Sequence, residues 1–191
     1  MIADRLEGSS VSSAEVDLVC ALNKDHQLDQ ELNQLQVPAA QTSKVAHAAV
    51  LACLGSTEAH ARVRRALSSS DDEEVQIAQI YLHHRPIADA TELRDVAAAI
   101  ARMSDSDAQV RALDTLAHYR FSERESLEEL TRLFPLAKSV NVQRAIAGIL
   151  IRSDYQTIAT AELVQTLRQH RLKSPDGEDS IDVLIRRLRA S

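Results

Sequence analysis

An all-helical chain is predicted, on three observations. Apolar residues recur every three or four positions along most of the 191 residues, and no stretch alternates with period two for long enough to make a strand. Only four Gly and four Pro interrupt a chain rich in Ala and Leu, the composition of helices joined by short connections. The apolar pattern also returns at near-regular intervals. Helices of that kind cannot bury their faces alone and stack on their neighbours.

The clearest copy covers residues 105–119. Val110 is followed by Leu113, Leu116 and Ala117, one face of a helix with 3.6 residues per turn. Ser104 is the expected N-cap, with Asp105 and Asp107 placing negative charge at the positive end of the helix dipole. With Val110 as anchor, matching anchors fall at Val45, Val75, Val142 and Ile181, separated by 30, 35, 32 and 39 residues. Three positions after each come Ala48, Ala78, Leu113, Ala145 and Leu184; seven after come Ala52, Leu82, Ala117, Ile149 and Leu188.

In chain order, residues 1–12 read as a flexible lead with a serine cluster. Ser12 and Glu15 have the spacing of a capping box, opening a helix that runs to about Asn23. Its apolar face (Val16, Val19, Cys20) is out of phase with Leu28, Leu32 and Leu35. A break at Asn23, Lys24 and Asp25 is therefore expected, then a second helix over 26–36 that Pro38 ends. Helices follow at 43–54, closed by Gly55, and at 57–68. Ser70 and Glu73 are the expected capping box for 73–84, which Pro86 stops. The next helices are read at 90–103 and 107–119, then 122–136 with Ser122 and Glu125 as its cap, and 140–152. The last pair is 157–171 and 179–190, where Ile181, Leu184, Ile185 and Leu188 form one stripe and Asp182, Arg186, Arg187 and Arg189 face water. A polar outer face is what the end of a stack of repeats needs. These elements make one domain, 13–190.

The residues Asp107, Val110, Arg111, Ala112 and Leu113 resemble the inner helix of the HEAT-repeat family, close kin of armadillo repeats. Asp72, Val75, Gln76 and Ala78 match in part, and Ser139, Val142, Gln143 and Ala145 more weakly. The resemblance covers residues 43–190. It implies a right-handed α-α superhelix of about five helix pairs, with an extra N-terminal helix, that binds a protein or peptide on its concave side.

Composition narrows the function. A formal charge of −6 favours solubility and disfavours a nucleic-acid backbone as main partner. Cys20 and Cys53 are too few for a disulfide scaffold and sit among apolar neighbours, so buried free thiols are expected ahead of a disulfide, which stays as the alternative. Asp4, Arg5 and Glu7 deny the N-terminus a signal peptide, and no apolar run is long enough to span a bilayer. A cytoplasmic monomer is the expectation.

Positions one, four and eight residues after each anchor form a single ridge on the helical wheel. The ridge reads Ala46, Ala49, Cys53; Gln76, Gln79, His83; Arg111, Asp114, His118; and Gln143, Ile146, Leu150. Its polar members, Gln76, Gln79, His83, Arg111, Asp114, His118 and Gln143, are the candidate partner-binding residues. His83 and His118 share a register with Cys53 ahead of them, but no carboxylate completes a metal site, and no metal or other cofactor is expected. Arg85, Arg120 and Arg152, each ten residues past its anchor, are expected to neutralise helix C-termini. Iron-binding HEAT-like hydroxylases use His-Glu dyads, and no His here precedes Glu. Two other classes remain as alternatives: a HEAT-like enzyme of the bilin-lyase type, and a DNA-glycosylase-type module using Arg62, Arg64 and Arg65 or Arg168, Arg171 and Lys173. The absence of Trp and the acidic helix starts argue against the latter. A non-catalytic scaffold is the reading these residues favour.

Overall fold

The computed structural model describes residues 11–29, 44–174 and 177–190. Among them the chain forms ten α-helices and two short 3-10 turns, with no strand. The helices fall into two compact units, residues 1–87 and 88–191.

In the first unit, α1 (Ser13–Leu22) opens with the expected capping box. Ser12 Oγ accepts the Glu15 N–H at 3.3 Å, and the Glu15 carboxylate accepts the Ser12 N–H at 2.9 Å. Residues 23–29 then form a turn instead of the start of a second helix, with His26 at φ +58°. Asn23 is the cause. Its side-chain oxygen accepts the Leu28 N–H at 2.7 Å and its amide donates to Asp29 at 2.6 Å, offering the backbone a local alternative to the helix. The remainder of the helix expected over 26–36 lies outside the described residues, as does most of the lead.

The centre of this unit is α2 (Val45–Cys53), packed against α1, α3 (Thr57–Ala66) and α4 (Asp72–His84). A helix apolar on all sides must be surrounded, and every residue of α2 except His47 is buried. It ends as Gly55 predicted. Gly55 N donates to Ala52 O and Ser56 N to Leu51 O, both at 3.0 Å, with Gly55 at φ +100°. In α4 the N-cap is Asp71, not Ser70: its carboxylate accepts the Glu73 and Glu74 N–H groups. The two cysteines are also a correction. Cys20 and Cys53, expected as free thiols, form a disulfide between α1 and α2, fully buried with Cα atoms 4.9 Å apart. Each lies on the buried face its helix presents to the other, which burial read one residue at a time does not reveal.

The second unit contains α5 (Ala90–Arg102), α6 (Ser106–Leu116), α7 (Arg124–Leu133), α8 (Val140–Arg152), α9 (Ala161–His170) and α10 (Ser180–Ala190). Alternate helices are neighbours: α6 packs on α8 and α8 on α10, while α5 packs on α7. Pro135 sits in the 3-10 turn Phe134–Leu136 that ends α7, and α9 packs on that turn. The core takes Leu93, Ile100, Leu113, Leu116, Leu127, Leu130, Phe134, Ile149 and Leu184, each worth about 1.5–3 kcal/mol when fully buried. Glu129 ties α5 to α7 from an almost buried position, accepting from Arg94 at 2.8 Å and Arg132 at 2.6 Å. Ile181, Leu184, Ile185 and Leu188 are buried in α10, as expected. Asp182 does not simply face water, because both its carboxylate oxygens accept from Arg171.

Candidate partner-binding faces

On α4, the inward side is Ile77, Ala78, Tyr81 and Leu82. Gln76 and His83 are exposed and Gln79 half-buried, and their spacing of three and four residues puts them on one face. His83 meets His84 edge-to-face with ring centres 5.5 Å apart. His84 Nε2 in turn lies 2.7 Å from Asp17 Oδ1 on α1. So His84 holds two helices together and His83 stays at the surface.

Arg111 and Asp114 on α6, and His118 in the turn after it, are exposed, while Gln109, Ala112, Leu113, Thr115 and Leu116 point inward. Here the anchor assignment is corrected. Val110 and Ala117 are half-exposed, not core, and the N-cap is Asp105 in place of Ser104. Asp105 accepts the Ala108 N–H at 2.8 Å; this bond, then one from Asp107 N–H, holds its carboxyl below the usual aspartate value. One residue turns a helical wheel by 100°. The face therefore combines a guanidinium, a carboxylate and an imidazole, and it ends beside Tyr119, whose phenol burial pushes up to about 12.

Gln143 does not join them. It is 1 % exposed on α8. Its amide donates to Phe134 O at 3.3 Å and His170 O at 2.8 Å, and its oxygen accepts the Leu172 N–H at 2.9 Å. Both of its donors and its oxygen are used at the ends of other segments, which is what a buried amide requires. Gln109, unremarked in the sequence, does the same on α6, donating to Ile100 O at 2.9 Å. The apolar stretches of the ridge (Ala46, Ala49 and Cys53; Ile146 and Leu150) are core.

Arg85 does not serve its own helix end alone. Its guanidinium reaches Asn23 O at 2.5 Å and Cys53 O at 3.5 Å, the C-terminal carbonyls of α1 and α2, as well as His84 O at 3.5 Å. Asn23 itself is fully buried and donates to Cys53 O at 2.7 Å. The basic groups expected of a nucleic-acid module are dispersed: Arg64 is only 9 % exposed, and Arg171 is committed to Asp182 and Asp179. Cys53 is in the disulfide, and no three His, Cys, Asp or Glu among the described residues are grouped to hold a metal ion. No helix among the described residues is long and apolar enough to cross a membrane.

No protein-family model, curated protein or solved structure matches this chain.

Proposed function

We propose that the protein is a non-catalytic interaction scaffold whose alternating helices, within each unit, are turns of a HEAT-like right-handed superhelix. A protein or peptide partner is met in the first unit by Gln76, Gln79 and His83 on α4, and in the second by Arg111 and Asp114 on α6 with His118 just after it. The observation that carries this reading is a division of labour among polar side chains on α6. Gln109 is inside, bonded to the end of the preceding helix, while Arg111, Asp114 and His118 are outside. Buried amides of this kind hold helices in one arrangement. Exposed polar residues on rigid helices present their side chains where a partner can meet them, with arginine well suited to anchor it.

The test compares affinity capture from the native cell by three forms: wild type, Gln76→Ala/His83→Ala, and Arg111→Glu/Asp114→Ala/His118→Ala. A set of proteins retained by the wild type and lost from at least one variant, at unchanged melting temperature, supports the proposal. Capture identical for all three forms refutes it.

A further inference from the structure

An open groove of about 440 Å³ lies along α9 and α10, lined by Arg168, Asp182, Ile185, Arg186, Arg189 and Ala190. Three of the six lining residues are arginines. Asp182, Ile185, Arg186 and Arg189 are spaced by three, one and three residues, which places them on one face of α10. Arg168 reaches the same groove from α9.

The charges are unequally committed. Asp182 offers little repulsion, since both its oxygens accept from Arg171 and Oδ2 also accepts the Asp179 N–H at 3.1 Å. Arg186 pairs with Glu178, and both side chains are more than half exposed, so the pair exchanges readily with another carboxylate. Neither Arg168 nor Arg189 has a hydrogen-bond or ion-pair partner among the described residues. The dipole of α10 favours cations in its last turn. That explains a basic residue there but leaves the guanidinium forks of Arg168 and Arg189 open to a planar anion.

We infer that this groove docks an acidic peptide segment, its carboxylates meeting Arg168 and Arg189 and an apolar side chain resting over Ile185 and Ala190. A guanidinium matches a carboxylate with two parallel N–H···O bonds. The apolar floor suits a short peptide better than the continuous phosphates of a nucleic acid, and no aromatic ring lines the groove for base stacking. This inference is independent of the scaffold reading and of the α4 and α6 faces.

The experiment uses the full chain and a panel of fluorescent nine-residue peptides in which Asp or Glu alternates with Leu, Ile or Val. The same peptides with Asn and Gln, and a single-stranded oligonucleotide, serve as comparisons. Fluorescence anisotropy should show saturable binding of acidic members that weakens as salt rises. The Arg168→Gln/Arg189→Gln variant should bind them about tenfold more weakly, two exposed charge pairs being lost. Both residues are exposed, so its melting temperature should match the wild type. No binding by any acidic peptide, equal binding of the neutral ones, an unaffected variant, or an oligonucleotide that binds as tightly would each overturn the inference.

Discussion

The Arg85 guanidinium donates to the backbone carbonyl of Asn23 at 2.5 Å, across 62 residues of sequence. Asn23 caps α1, and Arg85 follows the last residue of α4. With Cys53 O they make a knot where the C-terminal ends of α1, α2 and α4 meet. Carbonyls at a helix end have no partners within the helix, so the knot replaces water with side-chain donors.

Arg85→Ala should therefore cost about 1–3 kcal/mol, the range for stranding buried acceptors. Asn23→Ala should cost a similar amount. Because both act on Cys53 O and on one another, a double-mutant cycle by urea denaturation should show coupling above about 0.5 kcal/mol. Strict additivity would show that the knot is not a unit.

Asn23 also sets a carboxyl. The Asp29 carboxyl lies below its ordinary value of 3.8, first through the hydrogen bond from Asn23, with His26 and Arg85 adding to it. In Asn23→Ala, carboxyl NMR titration should find the Asp29 pKa raised. An unmoved titration would assign the shift elsewhere.

The disulfide is tested by counting thiols. Protein purified without reductant and then denatured should present no reactive thiol, and the mass should be that of the paired form. Cys20→Ala/Cys53→Ala should lose about 2–5 kcal/mol against the oxidised wild type. Two reactive thiols in the denatured wild type would restore the free-thiol expectation. Such bonds persist in oxidising surroundings, so the same count on protein from native cells also weighs the cytoplasmic placement.

At the other end of the chain, Arg171 holds the Asp182 carboxyl below 3.8, its hydrogen bond being the leading cause. A depressed folded-state value contributes stability that is present above the unfolded pKa and lost as pH falls through the folded one. The window thus opens near pH 3.8 and extends downward. Arg171→Gln should raise the Asp182 pKa and begin acid unfolding of the second unit at higher pH. Coincident acid transitions for variant and wild type would contradict this.

Most helix ends are legible because their signals are local. Three differ: the start of the helix expected over 26–36 is a turn, α7 has Glu123 as N-cap with no side-chain bond where Ser122 is expected, and α9 begins at Ala161 rather than 157. Ser12 and Glu15, Gly55, Pro86 and the 140–152 apolar stripe all mark ends or faces that the structure bears out. The register between repeats is not legible, because the valines that mark it in the sequence do not occupy equivalent positions in their helices. Counted by N-caps, α4, α6 and α8 begin at Asp71, Asp105 and Ser139, 34 residues apart each time. On that count Ala78, Ala112 and Ile146 are equivalent and all buried, as are Leu82, Leu116 and Leu150. Gln109 and Gln143 also coincide, each bonding a carbonyl nine residues upstream. The valine anchors drift by one residue either way, which puts Gln143 on the ridge and leaves Gln109 out of it. His118 then shares its register with His84, not His83. The disulfide and the Arg85 knot depend on contacts between distant segments and left no local trace.

This register predicts a contrast in one helix. Leu113→Ala, in the core, should cost about 2–5 kcal/mol, whereas Val110→Ala, half-exposed, should cost no more than about 1 kcal/mol. Equal losses in reversible denaturation would return Val110 to the core.

The central claim is that exposed residues of α4 and α6 recognise a protein while buried amides hold the helices. It is tested most directly by titrating the captured partner calorimetrically into wild type, Arg111→Glu/Asp114→Ala/His118→Ala, Gln76→Ala/His83→Ala and Gln143→Ala. At least one face variant should bind tenfold or more weakly, with its stability within about 0.5 kcal/mol per exposed site of wild type. Gln143→Ala should lose about 1–3 kcal/mol of stability yet bind normally well below its melting temperature. Wild-type affinity in both face variants, with binding lost only in Gln143→Ala, would contradict the claim.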